Sequence, residues 1–288
     1  MRPCLCALLL LVLGLATAQS QEEAALRKAI AAGEDTAAAH GRLGLLLYHA
    51  GRFAEATVEL GRAAQLDPAK SEYSLKLAGS ILAEQRYSVA LEFLKAIEAR
   101  FKGLAEYQYN LGLAYYGTRD YPNAIAAFEG ALRIEPGMDL AYFFLGNTYA
   151  VSGELDKALP YYRKAIGLNP RNPGYYLSLG KVLAAIGPEK DAEAIRLFRK
   201  SLELHPGDSA AEYALASACM RTGDFACARP LLERVTARHP DELSAHVLLS
   251  RLYAGVGEPE KAAAERETVK RLQRAKQQAK MPRAEPQP

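Results

Sequence analysis

Apolar residues recur at spacings of three and four along most of the chain, in paired stretches broken at regular intervals by short turn-forming runs. The register is set by a Leu followed by a small residue: Leu43-Gly44, Leu77-Ala78, Leu111-Gly112, Leu145-Gly146, Leu179-Gly180, Leu215-Ala216 and Leu249-Ser250. Successive spacings are 34, 34, 34, 34, 36 and 34 residues. Twelve residues after the small residue stands Ala56, Ala90, Ala124, Ala158, Ala228 or Ala262; the fifth repeat reaches Ala194 two residues late. Four further on comes a bulky group, Leu60, Leu94, Phe128, Tyr162, Phe198 or Leu232. Each repeat therefore predicts two amphipathic helices joined by a turn such as His49-Ala50-Gly51-Arg52 or Val151-Ser152-Gly153-Glu154. Small residues on both helices let the backbones approach closely. Pro68, Pro136, Pro170, Pro206 and Pro240 stop five of the second helices, because proline lacks an N–H and clashes with the preceding turn.

From about Ala37 to Arg274 this grid resembles the tetratricopeptide-repeat (TPR) family. The family's Trp position is taken by residues such as His40, Tyr142 and Tyr176. The resemblance implies an all-α fold: an α-α solenoid, a right-handed superhelix of about seven helix-turn-helix repeats. Their expected bounds are 37–70, 71–104, 105–138, 139–172, 173–208, 209–242 and 243–276. One hairpin cannot bury its apolar face alone, so neighbours must stack. Residues 19–36 are expected to cap the array, with Leu26 and Ile30 of a helix over 21–32 facing the first repeat. Residues 277–288, basic and Pro-containing, are expected to form a disordered tail, with the last helix reaching to about Lys280.

Residues 1–18 carry a different signal. Arg2 precedes an apolar run from Leu5 to Ala16, and Ala16-Thr17-Ala18 is a small-x-small cleavage site. The run is shorter than the ~20 residues a membrane-spanning helix needs, so an exported protein, periplasmic or extracellular, is expected. Export changes the reading of the cysteines. Cys219 and Cys227 are the pair left in the mature chain, one on each predicted helix of the sixth repeat, and an oxidising compartment would permit a bond between them. Two buried free thiols are the alternative.

Composition and motifs argue against catalysis. The net charge of +3 is too small to imply a nucleic-acid partner. The five histidines fall at repeat-locked positions or in a turn, with no His-x-x-x-His pair to hold a metal. Phosphate-loop, dinucleotide and Gly-x-Ser-x-Gly patterns are absent. A non-enzyme without cofactor or metal is expected, whose partner is a protein or peptide.

In the family, first helices line a concave groove. Offsets of minus three, plus one and plus four from the small residue then nominate Leu45, Tyr48, Leu75, Leu82, Tyr109, Leu113, Tyr116, Phe143, Asn147, Leu177, Lys181, Tyr213 and Arg251. The early positions are apolar and aromatic, good anchors for a peptide. Asn110 and Asn147 do not rebuild the Lys/Asn/Arg carboxylate clamp of chaperone-binding relatives, because Tyr109 and Phe143 stand where its lysines are expected. The stretch from Thr268 to Pro288 holds six Lys or Arg against one Glu, a second surface that could touch anionic groups. Two functions stay open: capture of a peptide in the groove, or a scaffold in an envelope or secretion assembly that uses edges and convex face.

Overall fold

The computed structural model describes residues 19–280, side chains to 278. The signal-like segment 1–18 and residues 281–288 lie outside them. The described residues are helical with short turns: α1 (19–31), α2 (Ala37–His49), α3 (Phe53–Leu66), α4 (Ser71–Ala83), α5 (Tyr87–Phe101), α6 (Ala105–Gly117), α7 (Tyr121–Ile134) and α8 (Asp139–Val151). They continue with α9 (Leu155–Leu168), α10 (Pro173–Ile186), α11 (Asp191–Leu204), α12 (Ser209–Arg221), α13 (Phe225–Arg238), α14 (Leu243–Gly255) and α15 (Pro259–Lys280). The fold class is an all-α solenoid of helix-turn-helix repeats. Two compact bodies divide within α8, one ending at Thr148 and the other beginning at Tyr149. None of the described helices is long and apolar enough to cross a membrane.

The small-to-large pairing of the sequence grid is the packing unit. A methyl on Gly44 would stand 2.7 Å from Leu60 Cγ; on Gly112, 2.6 Å from Phe128; on Gly180, 2.6 Å from Phe198. Those large partners are buried, as are Leu94, Tyr162 and Leu232 at the equivalent places. Helix starts are fixed by side chains that accept otherwise unpaired N–H groups: Thr36 from Ala39 (3.2 Å), Asn172 from Gly174 (3.0 Å), Asp208 from Ala210 (2.9 Å) and Asp224 from Cys227 (3.0 Å). The turn inside a repeat needs a left-handed residue, supplied by Gly51, Gly153, Gly223 and Gly257 but by Gln85 and Arg119 in the second and third repeats.

In the first body, Leu26 and Ile30 of α1 pack against the core built by α2 to α6, and Glu23 of α1 receives Arg52 (2.8 Å). In the second body, the two extra residues of the fifth repeat form a single 3-10 turn (Pro188–Lys190) ahead of α11. It delivers Asp191, buried, to Arg221 of α12, whose Nε donates to it at 3.0 Å. The hydrogen bond to Asp191 raises the Arg221 pKa further above its ordinary value. Cys219 on α12 and Cys227 on α13 face each other across the hairpin, Cα atoms 6.1 Å apart, within the range a disulfide spans. The last helix, α15, runs to Lys280, the end expected for it, so residues 277–280 are helix and not tail; Gln, Ala and Lys favour helix.

Candidate peptide-binding surface

Four first helices of the first body converge on an open cavity of about 380 Å³. Tyr48 comes from α2; Gly79, Leu82 and Ala83 from α4; Tyr109, Asn110, Leu113 and Tyr116 from α6. Leu140 and Phe144 of α8 close it, with Tyr87 at the start of α5. Gly79 matters because it leaves room for the Tyr48 phenol, whose oxygen would be 3.0 Å from a methyl there. Tyr48 meets Phe53 edge-on with centroids 5.5 Å apart, and the Lys76 ammonium lies 5.6 Å from its ring centre. Burial acts to lower the Lys76 pKa, but Glu106 at 2.8 Å, Tyr48 and Glu72 together hold it above the ordinary value.

Phe144 is the hub of the far wall. Its ring centre is 6.0 Å from Tyr109, 6.0 Å from Tyr116 and 6.1 Å from Phe128, edge-on to the first two and stacked on the third. Burial pushes the Tyr116 phenol upward in pKa. Asn110 is 4% exposed and donates its amide to the Leu75 carbonyl at 3.0 Å, which fixes the floor. Leu140 leaves 42% of its surface in solvent at the rim. The surface is therefore aromatic and apolar, with few polar groups.

Five of the nominated residues meet here: Tyr48, Leu82, Tyr109, Leu113 and Tyr116. Leu75 does not. It is 2% exposed and belongs to the core, because α4 and α6 approach closely enough for Asn110 to reach its carbonyl. Leu45 is partly buried against the same core. Phe143 and Asn147 do not line the cavity; the neighbouring Phe144 does, and Phe143 packs edge-on to it at 5.3 Å. One residue along a helix rotates the side chain by about 100°, enough to exchange the two. Tyr87 belongs to a second helix and so escaped an offset rule built on first helices; its ring occupies space that a side chain at Gly117 would fill. In the second body, Lys181 and Tyr213 share a cavity of about 280 Å³ with Ser217 and Arg221, without Leu177, and Arg251 lines another. Among the described residues, Cys219, Asp224 and Cys227 are the group close enough to share a metal ion, but Asp224 is engaged as the α13 cap.

A tetratricopeptide-repeat model matches residues 23–71, 75–139, 109–174 and 143–209, and a second of the same description matches 190–244. The chain belongs to the tetratricopeptide-repeat family. This TPR chain is 28% identical over 152 residues to TPR repeat-containing protein MJ1428 of Methanocaldococcus jannaschii, covering 52% of this chain and 26% of that one. It is 28% identical over 168 residues to protein O-mannosyl-transferase TMTC1 of Homo sapiens, covering 57% of this chain and 19% of that one. The crystal structure of TTC0263, a thermophilic TPR protein in Thermus thermophilus, superposes with a TM-score of 0.55 at 27% identity, covering 64% of this chain and 99% of that one. The TPR chain thus spans about a quarter and a fifth of the length of these two curated relatives. A likeness to so small a part of a named transferase carries no activity across. TPR proteins generally mediate protein–protein interaction and are generally non-enzymatic scaffolds.

Proposed function

We propose that this TPR protein captures a partner by an apolar peptide segment, extended or helical, in the aromatic cavity of its first body. The observation that carries this reading is the convergence of Tyr48, Tyr109, Leu113, Tyr116 and Phe144 on one open cavity with Leu140 exposed at its rim. Rigid aromatic anchors bury large area at low entropic cost, and apolar side chains left open in a concavity gain most from being covered. The setting we propose is outside the cytoplasm. Arg2, the apolar run to Ala16 and the Ala16-Thr17-Ala18 site support export, and so does a cysteine pair within disulfide reach. No catalytic step is part of the proposal.

A photo-crosslinking residue at position 140, introduced in the native host, tests it. The expected result is a crosslink to a defined partner that Tyr109→Ala together with Tyr116→Ala removes. Hot-spot aromatics of this kind cost about 2 kcal/mol or more on truncation, roughly thirtyfold in affinity. A crosslink that survives both substitutions, with helix content unchanged, ends the groove reading and leaves the scaffold function in its place.

A further inference from the structure

The second body carries a surface of different chemistry. Its first helices are almost free of carboxylates: α10 and α14 contain none, and α12 contains Glu212 alone. Glu212 is buried and already held by Arg234 (2.9 Å) and by Arg238. The same helices present Lys181, Arg221 and Arg251. Arg221 is spent on Asp191, whereas Arg251 has no ion-pair partner among the described residues. Between α14 and α15 lies an open cavity of about 400 Å³ where Arg251 meets Arg266, also unpaired among the described residues, and Lys270. The floor between these cations is mostly apolar, made by Val247, Ala254 and Val269 with Ser250, whose hydroxyl donates to the Ala262 carbonyl at 3.2 Å. No carboxylate lines it. Of the acidic groups nearest in sequence, Glu265 is engaged with His246 at 2.6 Å, while Glu267 pairs at 2.7 Å with Lys270 of the cavity wall and also feels the charge of Arg266. The Glu267–Lys270 pair is exposed and exchangeable, as surface i,i+3 pairs are.

We propose that this cavity is a second docking site, for an acidic amphipathic segment of a partner protein: carboxylates to pair with Arg251 and Arg266, and an apolar side chain to enter between them. Charge complementarity selects the occupant. Two guanidiniums over an apolar floor call for two anions flanking a hydrocarbon group, and each bidentate pair adds geometry as well as energy. A flat anionic bilayer matches the charge but not the concavity, since headgroups cannot reach Val247 and Val269 between the two helices. The chain's own last eight residues carry one Glu against one Arg and bring no net negative charge. The site is independent of the aromatic cavity of the first body.

Three fluorescein-labelled amphipathic peptides decide the matter, built of Leu with Glu, Leu with Gln and Leu with Lys, titrated against the full chain by anisotropy. The Glu peptide should bind more tightly than the Gln and Lys peptides, by a margin that shrinks as salt rises. Arg251→Ala with Arg266→Ala should weaken the Glu peptide at least about tenfold. Arg251→Lys with Arg266→Lys should retain part of the binding, and Arg171→Ala with Arg196→Ala, exposed cations outside the cavity, should leave it unchanged. Both arginines are exposed and unpaired, so the fold should survive, as circular dichroism would verify. Equal binding of the Glu and Gln peptides, or indifference to the double alanine variant, overturns the proposal. So does an equal loss in the protein carrying Arg171→Ala with Arg196→Ala. Binding to phosphatidylglycerol vesicles through the same arginines, with no peptide binding, overturns it in favour of a membrane contact.

Discussion

Adding one methyl group at either of two glycines in the first repeat should have opposite effects. Gly44 on α2 faces α3, and its methyl would lie 2.7 Å from Leu60 Cγ and 2.9 Å from the Leu60 backbone nitrogen. Ordinary contacts begin near 3.4 Å, so the helices must part by roughly 0.5–1 Å, and a backbone atom cannot rotate aside as a side chain can. Such overpacking costs about 1–3 kcal/mol, against which the better helix propensity of alanine returns about 1 kcal/mol. Gly44→Ala should therefore lose about 1 kcal/mol net. Gly61 sits beside Leu60 in the interior of α3, with nothing within 4 Å of its would-be methyl. Gly61→Ala should gain about 0.5–1 kcal/mol, from propensity and from a less flexible unfolded chain. The two variants should thus differ by about 1.5–2 kcal/mol for the same chemical change. Urea unfolding followed by circular dichroism reads the difference as a midpoint shift at constant m. Repeat arrays need not unfold in one step, so hydrogen exchange of α2 and α3 amides should accompany it. A Gly44→Ala protein as stable as the parent, or a destabilised Gly61→Ala, would refute the close-approach account of the Leu-Gly pairs.

The Glu212 cluster should show an asymmetry. Arg234→Ala with Arg238→Ala strands a buried carboxylate and should cost about 3–5 kcal/mol. Glu212→Gln leaves arginines 53% and 38% exposed, which water can solvate, and should cost about 1–2 kcal/mol by the same unfolding assay; the reverse order would refute this. For the cysteine pair, thiol labelling of denatured, unreduced protein should find neither Cys219 nor Cys227 reactive. Reduction should then lower the stability of the second body by about 2.5 kcal/mol on the chain-entropy model for so short a loop; two free thiols would end the disulfide assignment.

The fold was legible in the sequence because the repeat is redundant. Leu43-Gly44 and its six counterparts, the Ala twelve residues on and the bulky group after it recur with two irregularities, the late Ala194 and the polar Arg266, and each recurrence restates the same hairpin. What was less legible is which residues the cavities receive. Phe143 and Phe144 are equally apolar neighbours, and only the rotation of α8 about its axis, set by stacking of Phe144 on Phe128, turns one of them into the cavity. Leu75 carries the same signal as Leu82, yet the approach of α6 buries it. Lys181 and Arg251 hold the same place in their repeats and Arg221 another, yet nothing along the chain says which of the three is paired. Tertiary structure distinguishes them, because the extra turn of the fifth repeat brings Asp191 to Arg221 and no equivalent carboxylate to Arg251. Periodicity is a local property that a chain writes into its own order. Which side chain is covered, paired or left open depends on helices tens of residues away, and the packed structure alone decided that.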